Sequence, residues 1–176
     1  MPKQAAKPQR ALPQASPFQL KDETIEQWLR TGEQSGLLED YFGAANYRNL
    51  REMSRDASTR QLRGGPRVLI LPGIMGSKLG RPRPLLDDVI WIDPVDVAEG
   101  HLTQLALSAQ PSRVKALGVI LFTYLRLKLK LQISGFDADF FPFDWRYGIE
   151  DLSKTLVRQL GMETTVLGHL VAHRMG

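Results

Sequence analysis

The stretch Arg67 to Leu79, RVLILPGIMGSKL, limits what this chain can fold into more than any other. Val68 to Leu71 form a short, wholly apolar run of the kind that makes a buried strand. Pro72-Gly73 then stops it sharply. A strand that ends in a glycine-bounded turn leaves backbone N–H groups with no ladder partner. Such donors suit a developing oxyanion in an enzyme, or a phosphate in a binding protein.

Further strands are expected downstream. Phe136 to Trp145, FDADFFPFDW, alternates at Ala138, Phe140 and Pro142 and predicts a second strand. Arg146 to Leu160 predicts a helix with Ile149, Leu152, Leu156, Val157 and Leu160 inward, ended by Gly161. Thr164 to His173 predicts a third strand. Between the first and second strands, Pro111 to Gln132 carries two patterns. Val114, Leu117, Leu121, Tyr124 and Leu125 keep helical spacing, whereas Leu125, Leu127, Leu129 and Leu131 alternate with Arg126, Lys128 and Lys130. Leu and Lys are good helix formers and are not β-branched, so one helix ending near Gly135 is expected. Its basic residues could meet an anionic membrane surface or simply end in solvent. The proline-rich excursion through Asp93-Pro94, with Val89, Ile90, Trp91 and Ile92 as its apolar group, reads equally as a lid or a packed connection. Strand, helix, strand, helix, strand implies an α/β fold with a parallel sheet and crossover helices.

Residues 18–60 form a helical prefix to the main unit at 61–176. Thr24 and Gln27 suit a capping box, Ile25, Trp28 and Leu29 share a face, and Gly32 and Gly43 break the pattern. The prefix is expected to pack against the sheet. Residues 1–17, rich in Pro, Gln, Ala and Lys, read as a disordered tail. There is no cysteine, which excludes disulfides, a thiol nucleophile and thiolate metal sites. The unclustered net charge of +4 argues against a nucleic-acid partner. No run approaches a membrane span and the N-terminus lacks a signal-like apolar core, so the expected location is cytoplasmic.

Two rival sites fail on spacing. Gly73, Gly76, Ser77 and Lys78 superficially resemble a phosphate-binding P-loop, but the interval is too short and Ser77 precedes Lys78. His169 and His173 sit four apart without the glutamate or third ligand a zinc site needs, and His101 stands alone, so no metal or cofactor is expected.

Taken together, LPGIMGSKL, FPFDWR and HLVAHRMG resemble the lecithin–cholesterol acyltransferase-like lipases and acyltransferases of the α/β-hydrolase fold, from about residue 67 to 176. The resemblance implies a serine esterase, lipase or O-acyltransferase of lipid metabolism, with a lipid or other acyl ester as substrate. In that family the last motif reads H-S-M-G-G, a nucleophile elbow. By resemblance, the N–H of Ile74 or Met75 is one oxyanion donor and that of Met175 the other. Asp144, Trp145 and Arg146 match the D-W-R stretch and are expected to be structural rather than catalytic.

Arg174 occupies the nucleophile position, and an arginine cannot attack an ester. In the family's order the acid and histidine follow the nucleophile, so they would lie beyond Gly176. Ser77 is a weak substitute, with no histidine near it in sequence. The expectation is an incomplete α/β-hydrolase, truncated and catalytically disabled. The alternative is a non-catalytic, lipid- or protein-binding remnant of the same fold. Thr165, Val166, Leu167, Leu170 and Val171 make an uncharged, β-prone run that could self-associate through an unpaired strand edge.

Overall fold

The structure, a computed structural model, describes residues 16–61, 65–107, 113–162 and 169–173. Strand β1 (Arg67–Leu71) lies at the centre of a parallel sheet in the order β5-β1-β6, flanked by β5 (Asp137–Phe140) and β6 (His169–Ala172). Val68 pairs in register with Ala138 on one side and His169 on the other. The chain leaves β1, returns on one side as β5, and then crosses to the other side as β6 through α6 (Ile149–Met162). A second sheet, antiparallel in the order β3-β2-β4, is inserted after β1. It comprises β2 (Ser77–Arg81), β3 (Asp88–Trp91) and β4 (Lys115–Val119). The fold is therefore α/β with both parallel and antiparallel sheets.

The inserted sheet decides one open reading and corrects one expectation. The excursion after β2 is a packed strand, with Val89 and Ile90 buried, followed by the short α4 (Pro94–Ala98) and a 3₁₀ turn at His101–Leu105. The single helix expected over 111–132 is a strand and a helix, β4 and then α5 (Leu121–Ile133). Lys115 to Val119 can continue the edge of β2, and that tertiary pairing overrides the helical spacing of Val114, Leu117 and Leu121. Residues 111–112 lie outside the described residues. The later Leu/Lys alternation does belong to a helix, with Leu125 and Leu129 buried, and Gly135 (φ 92°) follows its end.

Helices α1 (Asp22–Thr31), α2 (Ser35–Phe42) and α3 (Ala44–Gln61) form the prefix. Gly32 ends α1 in the left-handed region at φ 84°, where a side chain would be strained. The N-cap of α1 is Lys21, and Thr24 lies inside the helix, so the expected capping box is absent. The prefix does not lie on the parallel sheet. Ile25, Leu29, Leu38, Tyr47 and Leu50 share one core with Leu121, Leu125 and Leu129 of α5. Helix α5 is the layer between: its Leu131 reaches the Val68, Ile70 and Ala138 cluster on one face of the sheet.

Two buried ion pairs fasten α1 to the rest. Asp22 lies 2.6 Å from Lys78 of β2 and accepts 2.7 Å from the Val119 N–H of β4. Glu26, one helical turn on, accepts from Lys128 of α5 at 2.9 Å, and Lys128 also donates to Asp139 at 3.1 Å. Lys128 is thus buried rather than facing a membrane, and Arg126 donates to Asn46. Gly118 is required where β4 passes Asp22, because a Cβ there would overlap the carboxylate.

Helix α6 is poorly covered. Leu152, Leu156 and Leu160 are half-buried, but Ile149 is 73% and Val157 67% exposed, against the expected inward face. Pro142 lies beyond β5, which ends at Phe140, and the expected stop at Gly161 falls one residue inside α6. Of the expected third strand, residues 164–168 lie outside the described residues. The expected tail lies outside them too, save Ser16 and Pro17, which open a 3₁₀ turn. The β5 edge is occupied by side chains: Gln132 donates to the Ala138 carbonyl, and the Phe140 N–H donates to Asp139. The outer edge of β6 pairs with no strand among the described residues.

Candidate functional site

In open α/β sheets ligands bind outside the carboxyl ends of the strands. Leu71 and Ala172 are those ends of β1 and β6.

The chain leaves β1 through Pro72 and closes a four-residue turn, with the Gly76 N–H donating to the Gly73 carbonyl at 2.9 Å. Met75, third in the turn, is left-handed at φ 60°, a conformation that costs a non-glycine residue about 1–2 kcal/mol. Gly76 cannot carry a side chain, because a Cβ would lie 2.6 Å from the Tyr124 hydroxyl. The backbone N–H groups of Ile74 and Met75 donate to nothing among the described residues. Both residues are open to solvent, 48% and 42% exposed. Met175, the second donor suggested by resemblance, and Arg174 lie outside the described residues.

Three side chains hold this turn. Tyr124, buried on α5, accepts 3.0 Å from the Gly73 N–H and lies 3.4 Å from His173 Nδ1. With a second lone pair and its own hydrogen still available, the Tyr124 hydroxyl can either donate to His173 Nδ1 or accept from it, according to the imidazole tautomer. The His173 N–H donates to the Leu71 carbonyl at 3.0 Å, carrying the β1–β6 ladder up to the turn. Trp91 of β3 donates from Nε1 to the Met75 carbonyl at 2.8 Å. Trp145 stacks edge-on against Trp91, with ring centres 5.7 Å apart, and donates to the Ser77 carbonyl at 3.2 Å.

Ser77 is fully buried, and its hydroxyl accepts from the Phe143 N–H at 3.0 Å, so it is not presented as a nucleophile. Asp144 and Arg146 form a 2.6 Å ion pair, and Arg146 also donates to the carbonyls of Leu105 and Val114. These contacts tie the segment after β5 to the inserted sheet. Lys78 is committed to Asp22 and the Leu20 carbonyl, which removes it as a phosphate ligand. His169 rests edge-on against Phe136, and His101 lies 3.7 Å from Glu99. Among the described residues no group of three or more potential metal ligands comes together. No helix among them is long and apolar enough to cross a membrane.

Beside the turn is an apolar cleft of about 260 Å³, lined chiefly by Leu71, Pro72, Phe141, Leu152, Leu156 and His173. It exists because α6 stands off the sheet, with Leu152 and Leu156 only half-buried. A second cavity, about 380 Å³, lies at the far side of β5 among Asp22, Glu26, Lys128 and Asp139. There one ammonium serves two carboxylates. Burial raises the Glu26 carboxyl above its usual range against the pull of Lys128. Burial opposes the Lys128 charge, but Glu26 and Asp139 outweigh it and hold the amine above its usual range.

Sequence reasoning located the turn, Ile74, Met75 and the D-W-R stretch. It missed Tyr124 and Trp91, which it read only as apolar positions; an aromatic with a polar tip spaced among core residues was the available signal. Comparisons with protein-family models, with curated proteins and with solved structures returned no match.

Proposed function

We propose that this chain carries the acyl-binding half of an α/β-hydrolase-type site, related to lipases, esterases and O-acyltransferases, and binds an acyl group without cleaving its ester. The observation that carries the reading is the pair of N–H groups at Ile74 and Met75, without a partner among the described residues, at the carboxyl end of the central strand and beside an apolar cleft. Donors of that kind stabilise negative charge on an acyl oxygen, and they need no side-chain chemistry. The sequence order strand, glycine turn, D-W-R and H-x-M-G supports the same reading. Arg174, directly after His173 and in the place of the serine, supplies no nucleophile.

The test has two arms. With p-nitrophenyl butanoate, release of nitrophenolate should match buffer and the mass of the chain should not change, since loss of a serine nucleophile costs about 10⁶ in kcat. Methylphosphonate, a small tetrahedral anion, should shift the Ile74 and Met75 amide resonances more than any others. A covalent acyl adduct would refute the non-catalytic part, and unmoved amides at 74 and 75 would refute the oxyanion part.

A further inference from the structure

We infer that β6 is a dimerisation edge. Two copies of this chain pair through β6, antiparallel about a two-fold axis, with Leu170 of each copy opposite Ala172 of the other. The two three-stranded parallel sheets then join into one, and the partner's Leu170 adds a wall to the apolar cleft. This pairing goes beyond the acyl-site reading and needs nothing from it.

The two edges of the parallel sheet are finished differently. On β5 the outward groups are already bonded: Gln132 donates to the Ala138 carbonyl, and the Phe140 N–H donates to Asp139. On β6 they are not. Successive residues of a strand turn their N–H and C=O groups to opposite sides. The bond from the His173 N–H to the Leu71 carbonyl assigns His169, Val171 and His173 to β1, so Leu170 and Ala172 turn their groups outward. No strand and no hydrogen bond meets those groups among the described residues. Edge strands that stay single are protected by charged side chains or proline, and the segment His169–Ala172, HLVA, has no Lys, Arg, Asp, Glu or Pro.

Outward groups at both 170 and 172 make the strand complementary to itself. Rotated about Val171, Leu170 exchanges both backbone bonds with the partner's Ala172, and Ala172 does the same with the partner's Leu170. The side chains agree with this register. Leu170 pairs with Leu69 and Ala172 with Leu71, on the sheet face opposite the one where Val171 packs with Val68 and Ile70. Leu71 and Ala172 line the cleft, and Leu170 is 47% exposed. Residues directly opposite in such a pair stand about 5.5 Å apart at Cα, so the partner's Leu170 comes to lie beside Ala172 at the cleft rim. The contact is small and belongs among the weak interfaces. It stops at a dimer, because a two-fold pairing uses up the β6 edge and the β5 edge is occupied.

Sedimentation of the whole chain from about 1 µM to 1 mM should show monomer passing to dimer with no larger species. In hydrogen exchange, the Val171 and His173 amides should be protected throughout. Those of Leu170 and Ala172 should slow about tenfold where about nine-tenths of the chain is dimeric, since only monomer exchanges there. The chain has no cysteine, so one introduced thiol reports the register. Val171→Cys sets two thiols opposite each other, about 4.5 Å apart at Cα and within disulfide reach, and should cross-link under mild oxidant. Leu170→Cys lies two residues out of register, about 7 Å along the strand, and should stay largely reduced although Leu170 is the more exposed. In a mixture of isotope-labelled and unlabelled chain, filtered NOEs should link the Leu170 methyls to the partner's Ala172 methyl.

A chain that stays monomeric to about 1 mM would overturn the dimer, and so would oligomers that grow past two copies. Faster cross-linking by Leu170→Cys than by Val171→Cys would overturn the register. A dimer whose Leu170 and Ala172 amides exchange as in the monomer would put the contact elsewhere. If the strands pair but no NOE reaches the partner's Ala172, the cleft wall is wrongly assigned. The methylphosphonate response of Ile74 and Met75 is a separate readout, so the acyl-site reading can fail or stand whatever the dimer does.

Discussion

Replacing Asp22 by Asn should destabilise the chain by about 3–5 kcal/mol, because it leaves the Lys78 ammonium buried without its counter-charge. Lys78 is 2% exposed, so water cannot take over the role of the carboxylate. Asn retains an acceptor for the Val119 N–H, so this substitution isolates the charge. Asp22→Ala also orphans that N–H, adding about 1–3 kcal/mol. Lys78→Met should cost less than Asp22→Asn, since burial already raises the Asp22 carboxyl against the pull of Lys78, and the unpaired acid can neutralise itself by binding a proton. The double variant should fall well short of the sum, since two charges replaced together leave no buried ion behind. Urea unfolding followed by tryptophan fluorescence measures all four species. At about 2 kcal/mol per molar urea, Asp22→Asn should lower the midpoint by about 2 M. A cost below about 1 kcal/mol for Asp22→Asn, or strictly additive single effects, would refute the claim that this pair fastens the prefix to the inserted sheet.

The pH dependence follows from groups whose proton affinity is higher when folded. Glu26 contributes stability that is present below the unfolded carboxyl range, near 4, and is lost as pH rises through its raised folded value. The stability advantage of the parent over Glu26→Gln should therefore shrink between pH 4 and 7 in thermal melts; a growing advantage would reverse the sign. Lys128 acts likewise at high pH, so stability should fall further as pH passes its raised value, above about 10.5. Met75→Gly should raise stability by up to about 1 kcal/mol by relieving the left-handed strain, and a loss in the same melts would mean that the side chain supports the turn. Leu170→Lys, on β6, whose outer edge pairs with no strand among the described residues, should reduce any self-association seen by sedimentation at micromolar concentration, and an unchanged oligomer would place the contact elsewhere.

The legible parts of the sequence were those fixed by local chemistry. The apolar run at Val68 to Leu71 and its Pro-Gly stop predicted β1 and its turn, and glycines 32 and 43 marked helix ends correctly. What was not legible depended on partners distant in the chain. Lys115 to Val119 is a strand because β2 lies beside it, and no local pattern carries that information. Asp22 and Lys78 are 56 positions apart, and their pairing cannot be read from charge spacing along a helix. Ile149 and Val157 follow inward spacing yet face solvent, because α6 stands off the sheet at the cleft. At the site, backbone donors were legible from the turn chemistry. Their supports, Tyr124 and Trp91, were hidden because each reaches the turn from another element.

The most direct test of the account is the hydrogen-exchange rate of the successive amides of the turn. Gly73 and Gly76 donate to Tyr124 and to the Gly73 carbonyl, whereas Ile74 and Met75 donate to nothing among the described residues. The account predicts slow exchange at 73 and 76 and fast exchange at 74 and 75, with methylphosphonate slowing the latter two alone. Uniform rates across the turn, or protection of Ile74 and Met75 in the free chain, would contradict it.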